Sequence, residues 1–138
     1  EEVRAELGQA VLIGCHSMPH EAIEAHTRPG QPRPEVVLGD RYGATAGREV
    51  MERVEAAFAG AGLRVGRNAP FAGAYVARAY GRPSRGVHVV QVEIDRALYM
   101  DEVRVEPLAG FEGFRRVMEG VVAELVGVAG QSRQLAAE

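Results

Sequence analysis

The sequence contains no lysine, only one cysteine and no long hydrophobic run. Each absence excludes something. Without lysine there is no catalytic amine and no Schiff base, and all sixteen basic residues are arginines, whose planar forks suit carboxylates. The lone cysteine, Cys15, rules out an intramolecular disulfide and fits a reducing cytoplasm. No stretch is apolar for long enough to span a bilayer, and no basic-then-apolar leader opens the chain. The net charge of -3 provides no strong field for nucleic acid or an acidic membrane surface. There is no HExxH, no paired CxxC, no GxSxG and no phosphate-binding glycine loop.

What is present is an ordinary globular composition, 46% hydrophobic and 25% charged over 138 residues. That length suits a single domain spanning 1–138 with one core. Glu1 to Leu7 reads as a short polar helix with no capping residue before it, as if the chain started part-way through something. Ala10 to Cys15 reads as a buried strand ending in His16 and Ser17. Residues 18–34 contain Pro19, Pro29, Pro32 and Pro34 and read as a long loop. Glu35 to Gly39 is a second strand, ending at Asp40 and Arg41. Thr45 to Ala61 is a helix, with Val50, Val54, Ala57, Phe58 and Ala61 at helical spacing and Gly62 as its stop. Leu63 to Arg67 is a third strand, followed by Asn68 and an irregular stretch to Gly86. Phe111 to Val128 is a closing helix with an apolar stripe, and the final residues are expected to fray. The alternation gives an α/β layered fold with helices on a mostly parallel sheet.

Val87 to Glu102, VHVVQVEIDRALYMDE, is the stretch around which the chain is organised. Neither face of this strand is fully polar, which suits a strand covered on both sides. Glu93 stands between Val92 and Ile94, where a carboxylate is costly to bury without a partner. Glu93 to Arg96 falls at the strand's carboxyl end, where α/β folds place their ligands. Those residues alone also fit a structural ion pair.

The other candidates each have a plainer role beside the chemical one. His16 stands where a metal ligand would, and a lone histidine there also serves as a hydrogen-bonded strand end. His20, Glu21, Glu24 and His26 read as a solvated loop, because Pro19 argues against a helix that would pair His16 with His20. Cys15, among apolar neighbours, reads as an inert core thiol. The arginine-rich loop Tyr75 to Arg85 could meet a phosphate or nucleic acid, could grip a small carboxylate, or could simply be solvated.

Taken in order, IGCHSMP, VVLGDRYG, RVGRNAPFAGAYVARAYGRP and GVHVVQVEIDRALYMDE resemble the N-formylglutamate amidohydrolases, also called N-formylglutamate deformylases. The resemblance runs from about Val11 to Glu102 and implies a three-layer α/β sandwich with a mostly parallel or mixed sheet, similar to the zinc carboxypeptidases. It implies zinc-dependent hydrolysis of N-formyl-L-glutamate to formate and L-glutamate, in cytoplasmic histidine breakdown. By resemblance His16 is a zinc ligand and Glu93 the general base. Arg96 is the catalytic arginine expected beside it. Arg41, Asn68, Tyr75, Arg78, Arg82 and His88 are the residues expected to bind or support the substrate, a small carboxylate. No nucleic-acid or membrane partner is expected.

Three departures motivate an alternative, a catalytically silent family member serving as a binding or assembly module. The family's remaining zinc ligands lie in an N-terminal region absent here, so a missing segment or partner chain would have to complete the site. Gly14 stands where the family has an aspartate two residues before the zinc histidine. Ala77-Arg78-Ala79-Tyr80 replaces the usual Thr-Arg-His-Tyr.

Overall fold

Short apolar strands separated by helices build one four-stranded sheet, which the computed structural model describes within residues 2–128. Helix α1 (Glu2–Leu7) leads into β1 (Ala10–Met18), α2 (His20–His26), β2 (Val36–Gly39), α3 (Arg48–Gly60) and β3 (Val65–Arg67). Then come α4 (Tyr75–Tyr80), β4 (Val87–Asp95), the short strands β5 (Met100–Asp101) and β6 (Glu106–Pro107), and α5 (Phe111–Gly127). The final residues expected to fray lie outside the described residues.

The sheet order is β1-β4-β2-β3, with β1 parallel to β4, β2 parallel to β3, and β2 antiparallel to β4. The sheet is therefore mixed. A parallel return from β1 to β2 would need a crossover along the sheet. Here the chain leaves β1 at Met18 and re-enters β2 at Val36, level with Ile94 near the same end of β4. The connection stays at that end, so β2 runs back. Asp40 and Asn68 consequently do not share an edge with His16 and Asp95.

Period-two alternation sorts the side chains. Val36, Leu38, Val90 and Val92 pack with Val50, Met51, Val54 and Phe58 of α3 and Val121 of α5. Full burial of each such side chain contributes about 1.5–3 kcal/mol. Val37 faces the other way and joins Met18, Ile23 and Phe71. With α3 and α5 on one face and α2 and α4 on the other, the molecule is a three-layer α/β arrangement. Gly62, at φ +86°, follows α3 as its stop. Gly39 is needed for close approach, because a Cβ there would lie 2.5 Å from the Ala72 carbonyl carbon.

Two stretches read as irregular are partly helical. Within 18–34, α2 starts directly after Pro19, whose φ of -63° sets up a helix start that needs no proline N–H. Buried Ile23 then anchors α2 to the sheet. Within Tyr75 to Arg85, α4 is followed by a 3-10 turn at Pro83–Arg85. Cys15 is not a core thiol either. It is exposed on the edge strand, and partial burial pushes its thiol pKa up, away from the reactive thiolate.

Candidate active site

β1 and β4 run side by side in register, so His16 lies abreast of Glu93, and Val37 of β2 lies abreast on the other side. Glu93 is 7% exposed. Burial pushes its carboxyl above the usual carboxylate range, opposed by a hydrogen bond from Gln91 and by His16 and Arg96 nearby. Gln91, two residues earlier on the same face, donates from Nε2 to Glu93 Oε1 at 2.7 Å. Its Oε1 accepts from the Ala74 N–H at 2.8 Å, which fixes the amide and ties the start of α4 to the strand. His16 is exposed, and its ring lies over Gly14: a Cβ at that position would be 3.9 Å from His16 Nε2.

Beyond Glu93 the strand turns sharply. Asp95, buried, accepts the Ala97 N–H at Oδ1 and caps the 3-10 turn that carries Arg96. Arg96 Nε donates to Ser17 Oγ at 3.1 Å, and its Nη1 lies 3.8 Å from Glu102. Asp95 Oδ2 is 2.7 Å from Nδ1 of His20, and the His20 backbone N–H donates to Glu102 Oε2 at 3.0 Å. His16, Glu93 and Arg96 are thus brought together as the sequence suggests, within a polar frame of Ser17, His20, Gln91, Asp95 and Glu102.

The remaining expected residues divide. Arg41 donates its N–H to Ala72 O and its Nη1 to Gly73 O, joining the segment whose next residue, Ala74, bonds Gln91. Tyr75 and Arg78 are exposed on α4, on the Glu93 side of the sheet, and neither side chain has a hydrogen bond or ion pair among the described residues. Arg82 sits elsewhere. Its backbone bridges to Val87, six residues before Glu93, which is about 20 Å along a strand rising ~3.3 Å per residue. Its guanidinium donates to the carbonyls of Arg78 and Gly81.

Asn68 is occupied internally. Its Oδ1 accepts from the N–H groups of Asp40 and Tyr42, and its Nδ2 donates to Asp40 Oδ1 at 2.9 Å. It clamps a loop where Arg41 and Tyr42 both adopt positive φ. His88 points to the opposite face, where its Nδ1 accepts the Gly47 N–H at the start of α3. A groove between α3 and α5, lined by Arg53, Ala57, Val117 and Val121, also lies on that far side, away from Glu93.

Of the frame residues missed in the sequence, Gln91 carried a signal, since strand alternation puts it on the Glu93 face. His20 carried none, because its partner lies 75 residues away. Among the described residues no group of three His, Cys, Asp or Glu side chains could hold a metal ion. Among the described residues His16 is the metal-ligating side chain abreast of Glu93.

Residues 1–100 match the family model described as N-formylglutamate amidohydrolase. An N-formylglutamate deformylase of Pseudomonas aeruginosa is 33% identical over 125 residues, which is 90% of this chain and 45% of that protein. One from Pseudomonas putida is 29% identical, over 91% of this chain and 46% of that protein. The crystal structure of an N-formylglutamate amidohydrolase from Ralstonia eutropha JMP134 superposes with a TM-score of 0.79 at 30% identity. It covers 95% of this chain and 46% of that one. The chain spans about half the length of the relatives it matches.

Proposed function

Because the chain belongs to the N-formylglutamate amidohydrolase family, we propose that it forms the general-base half of an amidohydrolase site acting on N-formyl-L-glutamate or a similar small acyl-amino acid. The observation that carries this is Glu93: a buried carboxyl with raised proton affinity, hydrogen-bonded by Gln91, abreast of His16 and close to Arg96. A carboxyl moved toward neutral pH is suited to take a proton from water and return it. In this reading Glu93 deprotonates the attacking water and then protonates the leaving amine. Arg96 stabilises the oxyanion of the tetrahedral intermediate. In the same reading Arg41 and Arg78 would grip substrate carboxylates, for which their forks are suited.

The donors among the described residues do not complete a metal site. His16 is the ligand this chain would contribute to a zinc ion. The other ligands would come from polypeptide beyond these 138 residues or from a partner chain. Zinc bound by three protein ligands lowers the pKa of its water to about 7, which is the chemistry it would supply. The same reading places the reaction in the cytoplasm, in histidine breakdown. The single cysteine fits a reducing compartment.

One observation favours the alternative of a silent binding module. With Gly14 beneath it, His16 has no hydrogen bond to orient its ring among the described residues. Formate release from N-formyl-L-glutamate by the natural polypeptide that carries these residues separates the two. Glu93→Gln should reduce turnover by at least about 100-fold while the fold is retained. Unchanged turnover would remove Glu93 as the base, and no formate release by the unmodified protein would favour the silent module.

A further inference from the structure

His20 is the point where three parts of the site's rim meet. It opens α2, directly after the β1 segment that carries His16 and Ser17. Its Nδ1 lies 2.7 Å from Asp95 Oδ2, and its backbone N–H lies 3.0 Å from Glu102 Oε2. Both carboxylates also act on Arg96. Asp95 caps the turn on which Arg96 stands, and Glu102 faces the Arg96 guanidinium. Asp95 is 5% exposed, so its charge has little water to fall back on. A buried carboxylate of this kind depends on its hydrogen bonds, and the imidazole contact is its one side-chain partner among the described residues.

We propose that His20 is a positioning residue: its contact with Asp95 holds the 96–98 turn and thereby keeps the Arg96 guanidinium against Ser17, beside Glu93. This deepens, and rests on, the amidohydrolase reading for what Arg96 does, but the positioning itself can be measured without any turnover. Loss of the imidazole leaves Asp95 with the Ala97 N–H alone. The turn then relaxes, and Arg96 loses its fixed place next to Ser17 Oγ. Glu24 Oε1 stands 3.6 Å from His20 Nε2, too far for a good hydrogen bond, so the ring takes its orientation from Asp95.

The experiment uses the natural polypeptide and follows the Arg96 Nε–H signal by proton–nitrogen NMR, assigned by its disappearance in Arg96→Lys. The variants are His20→Ala, His20→Asn and Asp95→Asn. An asparagine amide places its Nδ2 donor close to the position of the histidine Nδ1. The expected result is faster hydrogen exchange at Arg96 Nε–H in His20→Ala, by roughly 10-fold, with recovery in His20→Asn. Asp95→Asn keeps its size but loses the charge, and it should also accelerate exchange. Unchanged exchange in folded His20→Ala, or equal loss in the Ala and Asn variants, would overturn the proposal. Should His20→Ala fail to fold, unchanged exchange in Asp95→Asn would overturn it as well.

Where the protein releases formate, His20→Ala should lower kcat by roughly 10-fold with KM nearly constant, because Arg96 acts on charge that develops in the transition state. A raised KM with intact kcat contradicts the proposal. Absence of formate release by the unmodified protein would instead overturn the amidohydrolase reading, and the Arg96 signal would still report on His20.

Discussion

His88 gives the most direct test of the packing logic, because it lies on the face of the sheet away from the candidate site. It is 8% exposed, and its Nδ1 accepts the Gly47 N–H at 3.0 Å. Burial pushes its pKa below the ordinary 6.5, partly opposed by the nearby Glu49 carboxylate. Protonation would turn the Nδ1 acceptor into a donor facing another donor. Leaving the half-buried Gly47 N–H without its partner costs about 1–3 kcal/mol. The sign follows from linkage. The unfolded chain binds the proton below about 6.5, and the folded chain binds it only at lower pH. Stability from this residue is therefore complete above pH 6.5 and is lost as pH falls from there toward the depressed folded value.

Glu93 acts in the opposite sense. Its carboxyl is raised above 4.5 in the folded state, so its share of stability is complete below that value and is lost as pH rises through the folded value. The two effects oppose each other across part of the acid range, and the wild-type pH curve alone does not isolate either. The assay is urea unfolding at a series of pH values for the wild type and for His88→Asn, whose Oδ1 can accept the Gly47 N–H but does not titrate. The wild type should lose more stability than His88→Asn between pH 8 and pH 5, by at most about 2 kcal/mol, since linkage allows about 1.4 kcal/mol per pH unit below 6.5. For a chain of this size each kcal/mol corresponds to roughly 4 °C in Tm. Parallel stability curves for the two proteins would refute the reasoning.

Further outcomes follow from other parts of the structure. Arg78→Lys and Arg96→Lys should each weaken use of N-formyl-L-glutamate although charge is kept, because the fork is lost; wild-type kcat/KM in both variants would remove the arginine roles. Ile23→Ala should destabilise the protein by about 2–5 kcal/mol in urea unfolding, since the side chain is fully buried against Met18, Val37 and Phe71. A loss below about 0.5 kcal/mol would mean that α2 is not anchored as described. Gly14→Asp should raise zinc affinity in the natural polypeptide by about 10-fold or more, measured by calorimetric titration, and an unchanged affinity would disconnect position 14 from His16.

The parts of this fold that were legible in the sequence share one property: the information lies within a few residues. Alternation along 87–95 gave the central strand and put His88 and Glu93 on opposite faces, as they are. Helical spacing gave α3 and α5, and Gly62 gave the end of α3. What was not legible depends on contacts distant in sequence. Pro19 argued against a helix spanning His16 to His20, and His16 is indeed in a strand, yet the same proline begins α2. Only burial of Ile23 against Val37 and Phe71 makes that short helix worth forming.

Strand direction had the same character, and it decided the composition of the site. An all-parallel sheet would have brought the strand ends at His16, Asp40, Asn68 and Glu93 to one edge. Because β2 and β3 run against β4, Asp40 and Asn68 are drawn off into a loop that they hold themselves. Arg41 reaches the Glu93 side only through the 72–74 segment, which crosses close over Gly39. The site therefore has two differently built walls. On the β1–β4 side, backbone register fixes His16 against Glu93 whatever the loops do. On the Arg41 and Arg78 side, placement depends on Gln91, whose single amide holds both the start of α4 and the Glu93 carboxylate. A substitution at Gln91 accordingly disturbs both walls at once, whereas one at Arg78, exposed on α4, disturbs only what it touches.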